Sequence, residues 1–355
     1  MGVGVYLPPN VRTNDWWPRH VVEQWQSREE ASLDRAAEPS PHLSEGARLI
    51  DEAMAEYRGD PFRGAVQRRV MPEGMLASEM EREASKDALT RAGISADKLG
   101  LILSATFQPD HLFVPQAVRL HEMIGAKRSC LSMQTESACN AMNTQFSLAH
   151  DQIASGKIDY ALLTQSSGWA RYFRKDSPPS AWVGDAATAV ILGPVQDGFG
   201  LLGEHHETDG RYFEGLVFGA PGKRWFEAGL IEAYLADKEI ARRVVTETVE
   251  AGTAVVRAAI EKSGLEPSDV RFYAGHQGFA WLRRVTQRLA GLQHARAVDT
   301  FAWAGNLAPA NVPLVLAMAE RDGMLREGDV VATMAGGSGV TLSSLVLRWG
   351  GRRSN

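Results

Sequence analysis

The stretch Gln134-Thr-Glu-Ser-Ala-Cys139-Asn-Ala-Met-Asn-Thr-Gln-Phe146 places a cysteine where an extended segment ends and a helix begins. The residues that recur at helical spacing after it are Met142, Phe146, Ala149 and Ile153. A thiol at a helix N-terminus lies near unpaired backbone N–H groups and the positive end of the helix dipole, and both favour the thiolate. The same position suits the oxyanion that forms when a thiolate attacks a carbonyl. Cys139 is therefore a candidate nucleophile, although a lone cysteine is more commonly a small buried hydrophobic residue.

The composition is that of an ordinary globular protein. The chain has 355 residues, of which 44% are apolar and 23% charged, and this length suits two domains or one large layered unit. The net charge of −5 argues against nucleic acid or an anionic membrane as the main partner. The two cysteines, Cys130 and Cys139, indicate neither a disulfide framework nor a zinc site, and they fit a reducing cytoplasm. We expect no signal peptide and no membrane-spanning segment.

Three blocks of sequence are repeated, in the same order, in the two parts of the chain. The matched pairs are 92–105 with 263–276, 149–164 with 317–333, and 184–192 with 339–347. The repetition predicts an internal duplication in which helices alternate with parallel strands and cover both faces of each sheet. We expect an N-terminal half over 1–196, with a helical insertion and a mobile link at about 21–62, and a C-terminal half over 197–355.

Three polar side chains are candidates for one reactive site. Cys139, His276 and Asn306 each lie at a predicted strand end or in the adjoining turn, where such sheets gather their ligands. Glycines flank His276 and Asn306, as expected where backbone approaches a ligand closely. Each signal is weak alone, because a histidine at a strand end is commonly structural and a Gly-Asn pair is commonly a turn. Their combination and order therefore carry the prediction.

These motifs together resemble the β-ketoacyl-acyl-carrier-protein synthase III branch of the thiolase superfamily over nearly the whole chain. The segments that carry the resemblance are Gly4–Asn14, Glu136–Cys139, Gly184–Asp185, His276–Gln277, Gly305–Pro313 and Gly336–Gly339. The resemblance implies a thiolase fold, in which two duplicated βαβαβαββ halves form a five-layered αβαβα unit. It also implies an acyltransferase of fatty-acid or polyketide biosynthesis that needs no metal or redox cofactor.

The resemblance further implies a role for each reactive residue. The Cys139 thiolate would take an acyl group from a thioester, and the backbone N–H groups of Cys139 and Ser338 would form the oxyanion hole. His276 and Asn306 would stabilise the enolate that forms when a malonyl- or β-ketoacyl-type thioester is activated, which permits a decarboxylative Claisen condensation. Phe113 matches a residue that crosses a dimer interface and lines the partner's acyl tunnel, so a homodimer is expected.

The sequence departs from the family where the acyl donor would bind. In primary-metabolism relatives a Trp and an Arg hold coenzyme A; here no Trp falls in register, although Tyr57 or Phe62 with Arg63 could substitute. Arg283 and Arg284 are candidates for docking an acidic carrier protein, and a solvated helix face explains them equally well. We therefore expect a member from specialised metabolism that is loaded by acyl-coenzyme A, by an acyl carrier protein, or by both.

Three other functions fit parts of the sequence. The main alternative is an acyltransferase that passes the acyl group from Cys139 to an alcohol or amine, although Asn306 favours C–C bond formation. A type III polyketide synthase shares the three reactive residues, but its usual closing G-F-G-P-G run is replaced here by Ala335–Gly339. A non-catalytic partner subunit would usually have lost the nucleophile. The condensing enzyme is therefore the leading prediction.

Overall fold

The computed structural model describes residues 2–33 and 44–353, and the mobile link expected around Pro39 and Pro41 lies outside the described residues. The strands are β1 (Gly2–Tyr6), β2 (Asn10–Thr13), β3 (Gln67–Val70), β4 (Leu99–Ala105), β5 (Leu131–Gln134), β6 (Tyr160–Ser167), β7 (Ala186–Leu192), β8 (Gly200–Tyr212), β9 (Val217–Gly219), β10 (Glu232–Tyr234), β11 (Val270–Gly275), β12 (Val330–Gly337) and β13 (Gly339–Arg348). The helices are α1 (Arg19–Leu33), α2 (Glu45–Ala55), α3 (Ala77–Ala92), α4 (Gln116–Ile124), α5 (Ala141–Ala154), α6 (Lys238–Lys262), α7 (Leu282–Leu289), α8 (Phe301–Ala304) and α9 (Asn311–Arg321). Among these helices of the described residues, none is both long and apolar enough to cross a membrane.

The N-terminal half folds around a five-stranded sheet with the strand order β1-β7-β6-β4-β5. Strands β4, β5 and β6 are parallel, whereas β7 runs antiparallel to β6 and to β1. Strand β7 is buried along its whole length, which explains its unbroken apolar sequence. Helix α3 lies directly on β1, because a Cβ added at Gly4 would stand 2.1 Å from the Ala84 carbonyl oxygen. Glycine in β1 therefore permits this close approach of helix and strand.

The C-terminal half repeats this arrangement around a four-stranded sheet with the order β11-β12-β13-β8. Strands β11 and β12 are parallel, and β13 is antiparallel to both of its neighbours, as β7 is in the first half. The predicted duplication is therefore confirmed with one difference, because the counterpart of β5 is reduced to a single bridge between Phe272 and Arg296. Beyond that bridge, the Gln277 side chain donates to the Val298 carbonyl at 2.7 Å and accepts from the Thr300 N–H at 2.8 Å.

Five layers result, in the order helix, sheet, helix, sheet, helix. Helices α3 and α4 cover the outer face of the first sheet, and α6 and α7 cover that of the second. Helices α5 and α9 form the central layer, where one apolar cluster joins them to both sheets. Its members include Leu103, Met142, Leu163, Val312, Val315 and Val331. This layering agrees with the predicted thiolase fold and brings the first turns of α5 and α9 together at the centre.

Helices α1 and α2 occupy the insertion in the N-terminal half. Trp17 and Trp25, before and within α1, pack against Phe62. Helix α2 begins at Ser44, whose hydroxyl accepts a hydrogen bond from the Ala47 N–H at 3.2 Å. Its buried side chains, Leu49, Ile50 and Ala53, pack on residues of α6 and α7. An element of the N-terminal half therefore extends the outer helical layer of the C-terminal half.

Candidate active site

Cys139 lies in a short 3-10 turn, Ala138–Asn140, directly before α5. Ala138 has a φ of 50°, a left-handed conformation that is uncommon for a residue other than glycine. The Glu136 carboxylate accepts a hydrogen bond of 2.5 Å from the Ala138 N–H, which stabilises this turn. The turn therefore presents the Cys139 thiol at the N-terminus of a buried central helix.

Asn306 lies two residues before a second turn of the same kind. Ala308 also has a φ of 50°, and the 3-10 turn Ala308–Ala310 leads directly into α9. The Asn306 side-chain oxygen accepts a hydrogen bond of 2.9 Å from the Ala308 N–H. Because that oxygen is engaged, the amide orientation of Asn306 is fixed, and its NH₂ group is the end available to a ligand.

His276 follows β11, and its backbone N–H donates to the Met334 carbonyl at 2.8 Å. The ring is 6% exposed, and its Nδ1 has no hydrogen-bond partner among the described residues. Burial lowers the pKa of His276 to about 4, so the imidazole is neutral at pH 7. A Cβ added at Gly278 would stand 3.2 Å from His276 Nε2 and 3.6 Å from Asn306 Nδ2. The two nitrogens therefore border one position, which glycine leaves open.

Cys139, His276 and Asn306 line one pocket of about 230 Å³. The wall opposite them is apolar and includes Val244, Val245, Val249, Phe279, Trp281 and Leu282. The structure thus brings together the three side chains that the sequence placed at separate strand ends. Their catalytic roles remain predictions.

The Cys139 thiol does not have the low pKa that its place at a helix N-terminus predicted. Burial, and secondly the negative charge of Glu136, raise the pKa of Cys139 to about 12. A hydrogen bond from the residue's own backbone N–H lowers the pKa, but by less. In the free protein at neutral pH, Cys139 is therefore a protonated thiol that must lose its proton during reaction.

Ser338 stands in the turn between β12 and β13 and lines the same pocket. Its hydroxyl donates to the Leu216 carbonyl at 2.9 Å. A Cβ added at the preceding Gly337 would stand 2.2 Å from the Ser137 carbonyl oxygen. The closing turn of the C-terminal half therefore rests directly on the turn that carries Cys139, and only glycine permits that contact. The oxyanion role of the two backbone N–H groups stays a prediction.

The other residues singled out from the sequence lie away from this pocket. Phe113 has a φ of 79° and a fully exposed side chain, so within its own chain it contributes nothing to the reactive pocket. The Arg283 side chain is 13% exposed and paired with Asp299. Arg284 is paired with Glu56 at 2.6 Å. Both candidate docking cations are therefore neutralised within the chain.

The aromatic residues considered for coenzyme A are also engaged elsewhere. The Phe62 ring packs between Trp17 and Trp25, at centroid distances of 5.8 and 6.2 Å. The Tyr57 hydroxyl accepts a hydrogen bond from Arg284. Tyr57, Phe62 and Arg63 do not line the reactive pocket.

Trp169 also belongs to the site, and the sequence places it among the aromatic residues that crowd the segments from which the family builds its pocket mouth. Its indole N–H lies 3.0 Å from the Gly184 carbonyl oxygen and 3.2 Å from that of Asn306, and its ring lines the pocket. The buried Asp185 carboxylate accepts the backbone N–H of Ala170 at 3.0 Å and so holds the segment that carries Trp169. The sequence carries no signal for these contacts, because they join residues distant along the chain.

Comparison with known proteins agrees with this fold and site. A family model described as "3-Oxoacyl-[acyl-carrier-protein (ACP)] synthase III" matches residues 133–210, and its C-terminal counterpart matches residues 260–349. The β-ketoacyl-[acyl-carrier-protein] synthase III of Sodalis glossinidius is 27% identical over 98% of this chain and 98% of its own length. That of Sphingopyxis alaskensis is 29% identical over 90% of this chain and 96% of its own length.

Solved structures show the same fold. The β-ketoacyl-[acyl carrier protein] synthase III of Thermus thermophilus superposes with a TM-score of 0.79 at 24% identity and covers 99% of both chains. Xanthomonas campestris OleA with bound lauric acid and lauroyl-CoA superposes with a TM-score of 0.76 at 20% identity and covers 98% of both chains. The chain is therefore a β-ketoacyl-acyl-carrier-protein synthase III-like condensing acyltransferase, and its fold is that of the solved structures.

Proposed function

We propose that the protein joins an acyl group, held as a thioester on Cys139, to the enolate of a malonyl- or β-ketoacyl-type thioester by decarboxylative Claisen condensation. One observation carries the proposal: His276 Nε2 and Asn306 Nδ2 border a single open position in the pocket that Cys139 lines. Two neutral donors at one position suit an oxygen that becomes negatively charged during the reaction. The relatives' names describe an enzyme of the same class.

In the first step Cys139 sulfur forms a bond to the acyl carbon, and the bond from that carbon to the donor's sulfur breaks. The thiol proton leaves with the donor's thiolate, so the donor departs as a free thiol. Because the Cys139 thiol is protonated in the free protein, this proton transfer is part of the barrier.

In the second step a malonyl-type extender loses its free carboxylate as carbon dioxide, and the electron pair of the broken C–C bond forms an enolate. The enolate oxygen occupies the position between His276 and Asn306, where hydrogen bonds stabilise its charge. The enolate carbon then attacks the acyl carbon on Cys139, the Cys139 thiolate leaves, and a proton from water restores the thiol. All bonds balance without a metal or redox cofactor.

The fixed orientation of Asn306 favours this reaction over acyl transfer to an alcohol or amine. The Ala308 N–H occupies the Asn306 oxygen, so the residue offers donors and no acceptor to the pocket. An alcohol or amine nucleophile needs a proton acceptor, whereas an enolate needs donors.

The donor is proposed to be an acyl thioester of coenzyme A or of an acyl carrier protein. The relatives are named for the carrier protein, and the OleA structure was solved with lauroyl-CoA. The internal engagement of Tyr57 and Phe62 supports a role in specialised biosynthesis, because these rings are not free to hold an adenine. Two free cysteines, Cys130 and Cys139, support a reducing cytoplasm as the compartment.

A homodimer is proposed from the exposed edge of the first sheet. Strand β5 ends the sheet, and its Leu131 and Met133 are 59% and 43% exposed. The adjoining loop exposes Leu112, Phe113 and Val114. Exposed apolar side chains at a sheet edge are normally covered, and a second copy of this chain would cover them while carrying Phe113 towards the partner's site. Arg283 and Arg284 retain a docking role only if a carrier protein displaces their present partners.

The experiment that tests the proposed function is product analysis. The protein is incubated with malonyl-carrier protein and a panel of acyl-coenzyme A donors, and thioester products are measured by mass spectrometry. A β-ketoacyl thioester with loss of carbon dioxide is expected. Acyl esters or amides formed from added alcohols or amines, without loss of carbon dioxide, would instead establish the alternative.

A further inference from the structure

A buried carboxylate that takes no part in the chemistry above lies under the first sheet. Glu81 of α3 is completely buried, and each of its carboxylate oxygens accepts two side-chain hydrogen bonds. The donors are Ser166 at 2.7 Å and Gln116 at 3.3 Å on one oxygen, and Ser104 at 2.8 Å and Thr164 at 2.9 Å on the other. These donors come from β4, β6 and α4, so one side chain holds three elements.

We propose that Glu81 is a positioning residue for the reaction, which acts by fixing the loop 106–115 through Gln116 and Gln134, and through that loop the wall of the reactive pocket. The inference rests on the proposed function where it concerns rate. Its structural part, the fixing of the loop, stands on its own.

Two glutamines link Glu81 to both ends of the loop. Gln116 donates to Glu81, and its side-chain oxygen accepts the Asp110 N–H at 2.9 Å. The Gln116 N–H donates to the side-chain oxygen of Gln134 at 3.1 Å. The Gln134 NH₂ group donates to the Thr106 carbonyl, also at 3.1 Å. Thr106, the first residue of the loop, and Gln116, the residue directly after the loop, are therefore joined through Gln134, and Glu81 anchors Gln116.

The fixed loop in turn supports the reactive pocket. The Gln108 side-chain oxygen accepts the Gly168 N–H at 2.9 Å, directly before Trp169. The Phe107 ring packs edge-on against Trp169, with ring centroids 5.7 Å apart. Trp169 lines the pocket and lies within hydrogen-bond distance of the Asn306 carbonyl. A continuous series of contacts therefore runs from Glu81 to the backbone of a reactive residue.

A purely structural role would not require a carboxylate at this place. Burying a charged or ionisable group costs free energy, and apolar side chains of similar size often pack there at least as well. Burial raises the pKa of Glu81 to about 7, although its four hydrogen bonds oppose the increase. What a carboxylate supplies, and an apolar side chain does not, is four directional acceptor positions that fix Gln116 in one rotamer.

The experiment compares Glu81→Gln with Glu83→Gln, a matched control on an exposed turn of the same helix. Glutamine at position 81 turns an NH₂ group towards neighbours that are themselves donors, so the contact to Gln116 weakens. Hydrogen exchange should become about tenfold faster at Asp110 and Gln116, whose N–H groups bond within the network. The specificity constant kcat/KM for condensation should fall about tenfold, below the ~100-fold loss expected for a 1 Å misplacement. Glu83→Gln should change neither quantity.

The double variant Glu81→Gln/Gln116→Glu supplies the rescue. It restores one carboxylate and one amide facing each other, so exchange in the loop and kcat/KM should both return towards the wild-type values. If Glu81→Gln leaves exchange at Asp110 and Gln116 unchanged, the inference is overturned, whether or not the protein condenses anything. Faster exchange with unchanged kcat/KM would also overturn it, because Glu81 would then hold the loop without positioning the site.

If Glu81→Gln does not fold, Gln134→Leu replaces it. This variant removes the link between the loop ends and leaves Glu81 satisfied, so the same changes in exchange and rate are expected. Failure of the proposed function is recognised separately, since wild-type protein would form no β-ketoacyl product while the exchange results remained.

Discussion

Two turns of this molecule, one in each half, share a backbone and differ in chemistry. Ala138 and Ala308 both have a φ of 50°, and each stands in a 3-10 turn at the start of a central helix. In both turns the side chain two residues earlier accepts a hydrogen bond from the alanine N–H. Glu136 is the acceptor in the first turn, and Asn306 is the acceptor in the second. The duplicated fold therefore preserves a strained turn together with the hydrogen bond that stabilises it.

The difference lies in what each turn presents to the pocket. The first turn presents Cys139 with a carboxylate nearby, and the second has Pro309 in the place of the cysteine and presents a neutral amide instead. The carboxylate raises the pKa of the thiol, whereas the amide turns two donors towards the pocket. Duplication has thus supplied one scaffold twice, and in the proposed mechanism side-chain differences divide nucleophile and enolate stabilisation between the halves.

The largest effect is expected from removing the nucleophile of the first turn. Cys139→Ala should abolish acyl loading, with a loss of at least about 10³-fold, because covalent catalysis has no substitute at that position. Intact-mass measurement after incubation with acyl thioesters checks this. Cys130→Ser is the matched control and should load normally, since Cys130 is buried away from the pocket. Acyl mass that persists on Cys139→Ala would place the nucleophile elsewhere.

The next effect comes from making the second turn acidic like the first. Asn306→Asp keeps an oxygen for the Ala308 N–H but removes the NH₂ donors from the pocket. Loading of Cys139 should continue, while malonyl decarboxylation falls about 10²- to 10³-fold, the usual loss for one oxyanion donor. The rate of decarboxylation is measured as the release of labelled carbon dioxide from a carboxyl-labelled malonyl thioester. Decarboxylation at the wild-type rate would show that the amide donors of Asn306 are not used.

A smaller effect is expected where the two halves touch. Gly337→Ala places a Cβ against the Ser137 carbonyl, where only 2.2 Å is available, so the closing turn must move away from Cys139. We expect kcat to fall about tenfold to 100-fold, in line with misplacement by roughly 1 Å. Gly210→Ala is the control, because a Cβ there meets nothing within 4 Å. Equal kinetics for the two variants would contradict the contact between the turns.

The smallest effect is expected from making the first turn neutral like the second. Glu136→Gln removes a negative charge beside the thiol, which favours the thiolate and lowers the pKa of Cys139. At pH 8, well below that pKa, alkylation of Cys139 by iodoacetamide should be up to about tenfold faster, since one pKa unit is a tenfold change in thiolate. In the wild type the rate should keep rising with pH beyond pH 9. A plateau of the alkylation rate near pH 8 would mean that the pKa of Cys139 is not raised.

Much of the fold could be predicted because it follows from local patterns. Apolar runs such as 186–192 and matched blocks in two parts of the chain indicate buried strands and a duplication. The lost fifth strand of the second sheet could not be predicted in this way. In that region the backbone groups of Val298 and Thr300 bond the Gln277 side chain, a long-range contact that no local pattern signals.

The sequence also predicted that Cys139, His276 and Asn306 converge, and the structure places all three at one pocket, whereas their catalytic roles stay predictions. The raised pKa of Cys139 was not predicted, because the helix-dipole argument ignores burial and the charge of Glu136. The ion pair between Arg284 and Glu56 could not be predicted either, because Glu56 lies in an inserted segment far away along the chain. Long-range contacts set these properties, and sequence pattern carries little information about such contacts.

The central claim is that the two halves contribute separable steps, and one sample can test it directly. His276→Ala is incubated with an acyl thioester and a carboxyl-labelled malonyl thioester, and both the mass of Cys139 and the released carbon dioxide are measured beside wild type. The account predicts that the variant acquires the acyl mass as fully as wild type and releases little carbon dioxide. Full carbon dioxide release by the acylated variant would contradict it.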